Sequence, residues 1–446
     1  SLAGRYRPAV LGARLPSHPW KKPCNMSNLL DELVRSQKRG ESRGIPSICS
    51  AHPWVLKVAL RGAGPVLVES TCNQVNQYGG YTGMTPLDFV GFVYKIAEQN
   101  KFPTEQLLLG GDHLGPSPWQ EEPAASAMSK AAGMVSSYVR AGFTKIHLDT
   151  SMRLADDPPG ALDSQVSARR AAELAVLAEE SIPDPAAAPR YVIGTEVPIP
   201  GGSQEQAGSV TVTSVETARA TMELMHAAFL ELGLRSAWER VIAMVVQPGV
   251  EFGDGFLLDY LPEAARPLVS FSEGIPFVYE AHSTDYQSRA SLRSLVRDHF
   301  AILKVGPALT YAYREAVFAL AGIESHLIAA GQHSNVVAVL EQAMLSHPEH
   351  WRKYYQGSPE EQAFARKFSL SDRIRYYWQD PAVQAALGKL LSNLDKVAIP
   401  TSLLSQVVPW GFNHIQAGKS LNNPADIIDA SIQRVLEDYQ VACTPD

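Results

Sequence analysis

The stretch "LLLGGDHLGPSPWQ", residues 107–120, runs from apolar residues into an acid and an imidazole and then a Gly/Pro-rich turn. Leu107 to Leu109 read as a buried strand, Gly110 and Gly111 loosen it, and Asp112 and His113 stand where it ends. An apolar run finished by polar groups suits a parallel strand covered by helices, with chemistry at its C-terminal end.

The unit recurs. Candidate strands are "GIPSICS" (44–50), "PVLVEST" (65–71), "QLLLGGDH" (106–113), "TKIHLDT" (144–150), "YVIGTEV" (191–197), "VIAMVVQPG" (241–249), "PFVYEAH" (276–282) and "FAILKVGPA" (300–308). Amphipathic stretches separate them. In "MTPLDFVGFVYKIAEQN", Thr85 is the expected N-cap, Pro86 the first helical residue, and Phe89, Phe92, Val93 and Ile96 one apolar face. "SQVSARRAAELAVLAEE" repeats the pattern with Val166, Ala171, Leu174 and Leu177. Eight β-α units over roughly 280 residues match an α/β protein of the (β/α)8, or TIM, barrel class. A doubly wound sheet would want a Gly-rich fingerprint after its first strand, and "SICSAHPWVLK" has none.

Beyond about residue 325 only helical patterns continue: "SNVVAVLEQAML", "SPEEQAFARKF", "SDRIRYYWQDPAVQAALGKLLSNL" and "NPADIIDASIQRVLEDYQ". Ser371 or Asp372, and Asn423 before Pro424, read as helix starts. The expected organisation is a basic arm over 1–27, a barrel over 28–325 and an all-helical C-terminal extension over 326–446. The arm carries Arg5, Arg7, Arg14, Lys21 and Lys22 and no acid, and is read as peripheral rather than as a targeting signal.

Composition narrows the function classes. The chain has 446 residues, 45% hydrophobic and 19% charged, with a net charge of −7 spread without long runs. That excludes an electrostatic footprint for nucleic acid or a membrane surface. No apolar run approaches the ~20 residues of a membrane span. Cys24, Cys49, Cys72 and Cys443 lie far apart with no CxxC pair, which argues against a disulfide framework and for a reducing cytoplasm.

The strand ends are rich in polar groups: Ser50 and His52, Glu69 and Asn73, Asp112 and His113, Asp149, Glu196, Gln247 with Glu251, Glu280 with His282, and Lys304. One such acid is usually a hydrogen-bonded cap. Carboxylates converging on one mouth are costly to bury without a cation. Glu280 and His282 are two apart and share a strand face, and His113 and Glu196 arrive from other strands. Two imidazoles and a carboxylate with an open position suit Zn²⁺, Mn²⁺ or a similar divalent ion; hydrogen bonding within the mouth is the alternative. Lys304 reads either as a Schiff-base lysine or, in better accord with so many acids, as the ion-pair partner of Glu280 or Glu69. His147 is expected to be a core or helix-facing imidazole, and His299, His347 and His350 to carry no function. "GFNHIQAGKS" ends like a phosphate loop but has Asn413 where its first glycine belongs, and "GVEFGDGF" lacks dinucleotide spacing, so no nucleotide cofactor is expected.

Taken jointly, "GIPSICSAHPWVLKVAL", "VLVESTCNQVNQYGGYTGMTP", "LLLGGDHLGP", "IHLDTSM", "IGTEVPIPGG", "YEAHSTDYQ", "ILKVGPALTYAYREAVFAL" and "FSLSDRIRYYW" resemble the tagatose-bisphosphate aldolase Z-type (GatZ/KbaZ) subunit family, also labelled tagatose 6-phosphate kinase. The resemblance covers about Asn28 to beyond Trp378. It implies a role in galactitol or tagatose catabolism as partner of a catalytic class II aldolase subunit, and some members are metal-dependent ketohexose 4-epimerases. The barrel also resembles the class II aldolases themselves. Their Asp-His at the third strand matches Asp112 and His113, their Glu before Gly-Gly matches Glu196 with Gly201 and Gly202, and their strand-seven ligand matches His282. Two departures stand out: Gln247 and Glu251 in "VVQPGVEFGD" where a histidine is expected, and "HSTDYQ" where the aldolase phosphate loop has His-Gly-x-Ser-Gly. Without that glycine, close backbone approach to a phosphate is harder.

The resulting expectation is a divalent metal (Zn, alternatively Mn or Ni) on His113, Glu196, His282 and Glu251, acting on a ketose or ketose phosphate. Asp112, Glu69 or Glu280 would move protons, and Asn73, Gln74, Asp149, Gln247 and Lys304 would contact substrate. Alternatives are a tagatose/fructose 4-epimerase acting alone, a non-enzymatic stabilising partner of the aldolase subunit, and a tagatose 6-phosphate kinase. A homo-oligomer is an open option.

Overall fold

A computed structural model describes residues 27–194, 210–416, 421 and 423–445. Most of the basic arm, Glu196, Gly201, Gly202 and the Gly418–Ser420 triplet lie outside the described residues.

Eight parallel strands close into a barrel: β1 (Ile45–Ile48), β2 (Val66–Thr71), β3 (Leu107–Leu114), β4 (Lys145–Leu148), β5 (Arg190–Ile193), β6 (Val241–Val245), β7 (Val278–Ala281) and β8 (Phe300–Val305). Each strand pairs with its neighbours in chain order, and β8 closes on β1 through Ile45–Ile302 and Ser47–Lys304. Most of the apolar runs in the sequence overshoot the paired strands at one end or both. Their polar tails leave the ladder and become the loops of the mouth. The barrel reading stands.

Local chemistry explains the helices between strands. Helix Pro86–Gln99 opens with a capping box, in which the Thr85 side chain accepts the Asp88 N–H and the Asp88 carboxylate accepts the Thr85 N–H. Phe89, Val93, Ile96 and Ala97 then bury one face. On β2 and β3, Val66, Val68, Leu107 and Leu109 face the helices, whereas Leu67 and Leu108 face the lumen. The lower lumen is an apolar plug of Leu67, Leu108, Val192, Ile242, Val278 and Ile302, closed below by Leu30 and Leu33 of helix Ser27–Lys38.

The C-terminal residues are helical, with breaks that the sequence pattern missed. The long "SDRIRYYW…" run divides into a short 3-10 turn, Arg373–Tyr377, and helix Pro381–Leu394, because Pro381 can only begin a helix. Helices Thr401–Val407 and Pro409–Gln416 add two elements. Asn423 caps helix Pro424–Cys443 as expected. That last helix returns to the barrel wall and packs on helices Arg289–Arg297 and Pro307–Leu327. Asp372 stands at the start of the Arg373–Tyr377 turn as expected, but its side chain does not cap it; it sits at φ +47° and forms a buried ion pair with Arg314 at 2.7 Å.

Candidate metal centre in the barrel mouth

Alternation carries Leu67 to Glu69 on β2, Leu108 to Gly110 and Asp112 on β3, and Val278 to Glu280 and His282 at β7, all toward the lumen. On β4 the same rule turns Lys145, His147 and Asp149 inward, since Ile146 and Leu148 belong to the outer core. His147 therefore corrects the expectation of a core or helix-facing imidazole. The signal was present in "KIHLD": in a strand whose outer face meets helices, alternate polar residues can only face the lumen.

Asp112 and His113 raise a geometric difficulty, because consecutive strand residues point to opposite faces. The structure resolves it with a bulge. Gly111 pairs with Ile146 and Leu114 with Leu148, so β3 spends one residue more than β4, and His113 takes φ +48°. A left-handed, non-glycine residue of this size is strained and persists only where its surroundings hold it. The glycines also have a steric reason: a Cβ on Gly110 would lie 2.6 Å from Glu69 Oε1, and one on Gly115 would lie 1.6 Å from the Asp149 carbonyl oxygen.

Asp112, His113, His147 and His282 then converge, with one donor atom from each inside 4.8 Å of the others. All four are buried. Each imidazole has one nitrogen beside a carboxylate: His113 Nδ1 and Asp149 Oδ2 at 2.7 Å, His147 Nδ1 and Asp112 Oδ1 at 3.0 Å, and His282 Nε2 and Glu280 Oε1 at 3.0 Å; His147 Nδ1 also accepts the His113 N–H at 3.2 Å. The remaining nitrogens, His113 Nε2, His147 Nε2 and His282 Nδ1, are the available donors. His147 Nε2 is buried with no hydrogen-bond partner. Carboxylates that orient imidazoles this way are the usual second layer of a metal site. Burial pushes His147 down to about 4 and His282 down to about 3, so both imidazoles are neutral at pH 7.

Beneath the histidines lies a charged layer. Lys145 is fully buried and bridges Glu69 Oε1 and Glu280 Oε2, each at 2.6 Å. Despite the desolvation that opposes it, the two carboxylates raise the Lys145 ammonium above its usual range. Lys304 does form the expected ion pair rather than stand alone, but its nearest partner is Asp112, with Glu69 and Glu280 each at 3.8 Å. At formal charge, four buried carboxylates (Glu69, Asp112, Asp149, Glu280) face two buried ammonium groups (Lys145, Lys304), leaving two negative charges. A divalent cation neutralises that excess, and the unpartnered His147 nitrogen points to the same requirement. The residues present fit a divalent metal.

The other expected site residues sit apart from this group. Gln74 is buried, and its amide oxygen accepts the Thr71 N–H at 2.9 Å, while Asn73 is exposed. The Gln247 side chain accepts the Gly249 N–H and stiffens the turn after β6. Glu251 is buried in a short antiparallel ribbon, Glu251–Phe252 with Leu257–Leu258, and is not one of the four donors. The tip of that ribbon is strapped to the C-terminal segment, where Ser369 and Ser371 hydroxyls donate to Asp254 Oδ1. The segment also covers part of the mouth: Tyr376 packs 4.8 Å from Tyr81 of the loop after β2, and His350 stacks on Tyr376 at 4.7 Å. No helix among the described residues is long and apolar enough to cross a membrane.

Comparison with known proteins agrees with this architecture. The D-tagatose-1,6-bisphosphate aldolase subunit GatZ of Salmonella heidelberg (strain SL476) is 51% identical over 422 residues, covering 94% of this chain and all of that protein. Its counterpart in Salmonella agona (strain SL483) shows the same identity and coverage. A crystal structure described as a probable tagatose 6 phosphate kinase from Sinorhizobium meliloti 1021 is 48% identical and superposes with a TM-score of 0.83, covering 90% of this chain and all of that one. The profile of the D-tagatose-1,6-bisphosphate aldolase subunit GatZ/KbaZ-like family matches residues 30–444, and the chain belongs to that family.

Proposed function

We propose that the chain is the Z-type subunit of a D-tagatose-1,6-bisphosphate aldolase, acting in tagatose or galactitol catabolism beside a catalytic subunit, and that it keeps a divalent-metal ketose site of its own. The observation that carries the second part is the group of three carboxylate-oriented imidazoles and Asp112, with its two uncompensated negative charges. His113, His147 and His282 would hold the ion, with Asp112 beside it. Imidazole donors favour Zn²⁺, Mn²⁺ or Ni²⁺ over Mg²⁺ or Ca²⁺. When bound, such an ion supplies Lewis acidity toward a carbonyl or hydroxyl oxygen.

The chain's own residues divide the remaining work. Glu69 and Glu280 are locked to Lys145 as fixed charges, and Glu280 holds His282. Asp112, steadied by Lys304, is the proton carrier. For epimerisation at C4 of a ketose, Asp112 takes the proton of the C4 hydroxyl as the C3–C4 bond breaks. The bonding pair stays on the three-carbon enediolate fragment, and C4 becomes an aldehyde. After the aldehyde presents its other face, the bond re-forms and Asp112 returns the proton. No nicotinamide is needed.

Metal analysis of the purified chain and an assay of fructose-to-tagatose conversion test this reading. Conversion supported by Zn²⁺, Mn²⁺ or Ni²⁺, and lost in His113→Ala, is expected. A protein that stays inactive when supplied with each of these ions sinks the ketose-site reading. Coexpression with a catalytic aldolase subunit tests the subunit role separately: His113→Ala should still support the partner if that role lies outside the mouth.

A further inference from the structure

Barrels of this class commonly hold a substrate phosphate between the loops after the seventh and eighth strands, at the N-terminus of a helix. Here the helix after β8, Pro307–Leu327, begins at Gly306, and its N-terminus points at the loop after β7. That position already has an anion. Asp285 Oδ1 accepts the Gly306 N–H at 3.0 Å and the Ala308 N–H at 2.8 Å, and its side chain is buried. Two backbone donors and a helix N-terminus make an oxyanion cradle, and the chain's own carboxylate fills it.

The loop that delivers Asp285 is held firmly in place. Ser283 and Tyr286 take φ of +54° and +66°, strained conformations that persist only where the surroundings enforce them. Thr284 is pinned from both sides, its hydroxyl donating to the Lys304 carbonyl at 2.6 Å and its carbonyl accepting from Tyr439 of the last helix at 2.7 Å. The cradle borders the candidate metal centre through Cys49, whose carbonyl lies against Gly306 and whose Sγ is 3.8 Å from Asp112 Oδ2.

We propose that Asp285 occupies the phosphate position of this barrel, so that the mouth selects ketoses carrying no phosphate at the end that faces β7 and β8. This rests on the ketose reading above and narrows its substrate class. A phosphorylated end would have to displace a buried carboxylate and would meet its charge. The departure from a glycine-rich loop at "HSTDYQ" then has a physical consequence: an aspartate stands where backbone N–H groups would otherwise be offered to a ligand.

Inorganic phosphate is the probe, read by thermal denaturation of the full chain at fixed ionic strength. Wild type should show no rise in Tm, whereas Asp285→Ala, whose Gly306 and Ala308 N–H groups are freed, should gain about 2 °C or more in roughly 10 mM phosphate. Asp285→Ser, a smaller change, guards against a variant that does not fold and should shift in the same direction. Stabilisation of wild type by phosphate equal to that of the variants overturns the proposal. So does the absence of any phosphate response in folded variants. Turnover provides a second reading: wild type should convert a free ketose at least 10-fold more efficiently than its 1-phosphate or its 6-phosphate, whichever end faces β7 and β8, and efficient conversion of both phosphates also overturns it. If wild type converts no ketose at all, the ketose-site reading fails, while the phosphate response still decides whether Asp285 fills an anion position.

Discussion

The lower and upper halves of the barrel lumen are built from the same strands and have opposite chemistry. Two residues along the chain separate Leu67 from Glu69, Val278 from Glu280, and Ile302 from Lys304. Below, an apolar plug is stable through burial alone. Above, acids, ammonium groups and imidazoles are equally buried, and each must find a partner or lose more than it gains. The lower layer supports the fold, and the upper layer invests stability in a charge pattern that a hydrophobic core would not need.

The sharpest way to break this comparison is to remove one charge. Lys145→Met leaves Glu69 and Glu280 together without their bridge and should cost about 3–5 kcal/mol in urea denaturation. Leu108→Ala in the plug should cost about 2–5 kcal/mol by leaving a cavity. The two losses are similar in size and differ in their effect on the mouth. Divalent-metal affinity should change in Lys145→Met and hardly at all in Leu108→Ala, as measured by competition with a chelator. Equal affinity in both variants would mean that the charged layer does not sense the ion.

Acid should separate the layers next. The folded-state values of His147 and His282, about 4 and about 3, lie below the ~6.5 of an unfolded histidine. As pH falls below about 6.5 the unfolded chain binds protons that the folded chain refuses, so stability is full above that pH and declines toward pH 3–4. The metal-free protein should therefore show a lower Tm at pH 5 than at pH 7. A flat Tm across that interval would remove the case for neutral, buried imidazoles.

The smallest effect concerns orientation. Asp149 accepts from His113 and from both the N–H and the hydroxyl of Ser151. Asp149→Asn should weaken metal binding about 10–100-fold with little loss of fold, again read by chelator competition. No change in affinity would show that the Asp149 contact does not hold His113 for a ligand.

The sequence by itself determined the barrel. Eight apolar runs alternating with amphipathic helices leave few other topologies, and polar residues at nearly every strand end mark one rim as the mouth. It also marked Asp112, His113 and His282, because polar residues ending apolar runs are conspicuous. His147 and Lys145 were legible in principle through the alternation of "KIHLD", but a histidine in mid-strand looks like a core residue until its outward neighbours are known to meet helices.

Only the tertiary structure decided the rest. The bulge at Asp112 and His113 depends on the register between β3 and β4, which no local pattern encodes. The pairing of Lys145 with Glu69 and Glu280 joins three strands, β4, β2 and β7, far apart in the chain. The seating of Asp285 on the Gly306 and Ala308 N–H groups likewise depends on how two successive loops meet. In each case the sequence supplies the charge, and closure of the barrel decides what that charge faces.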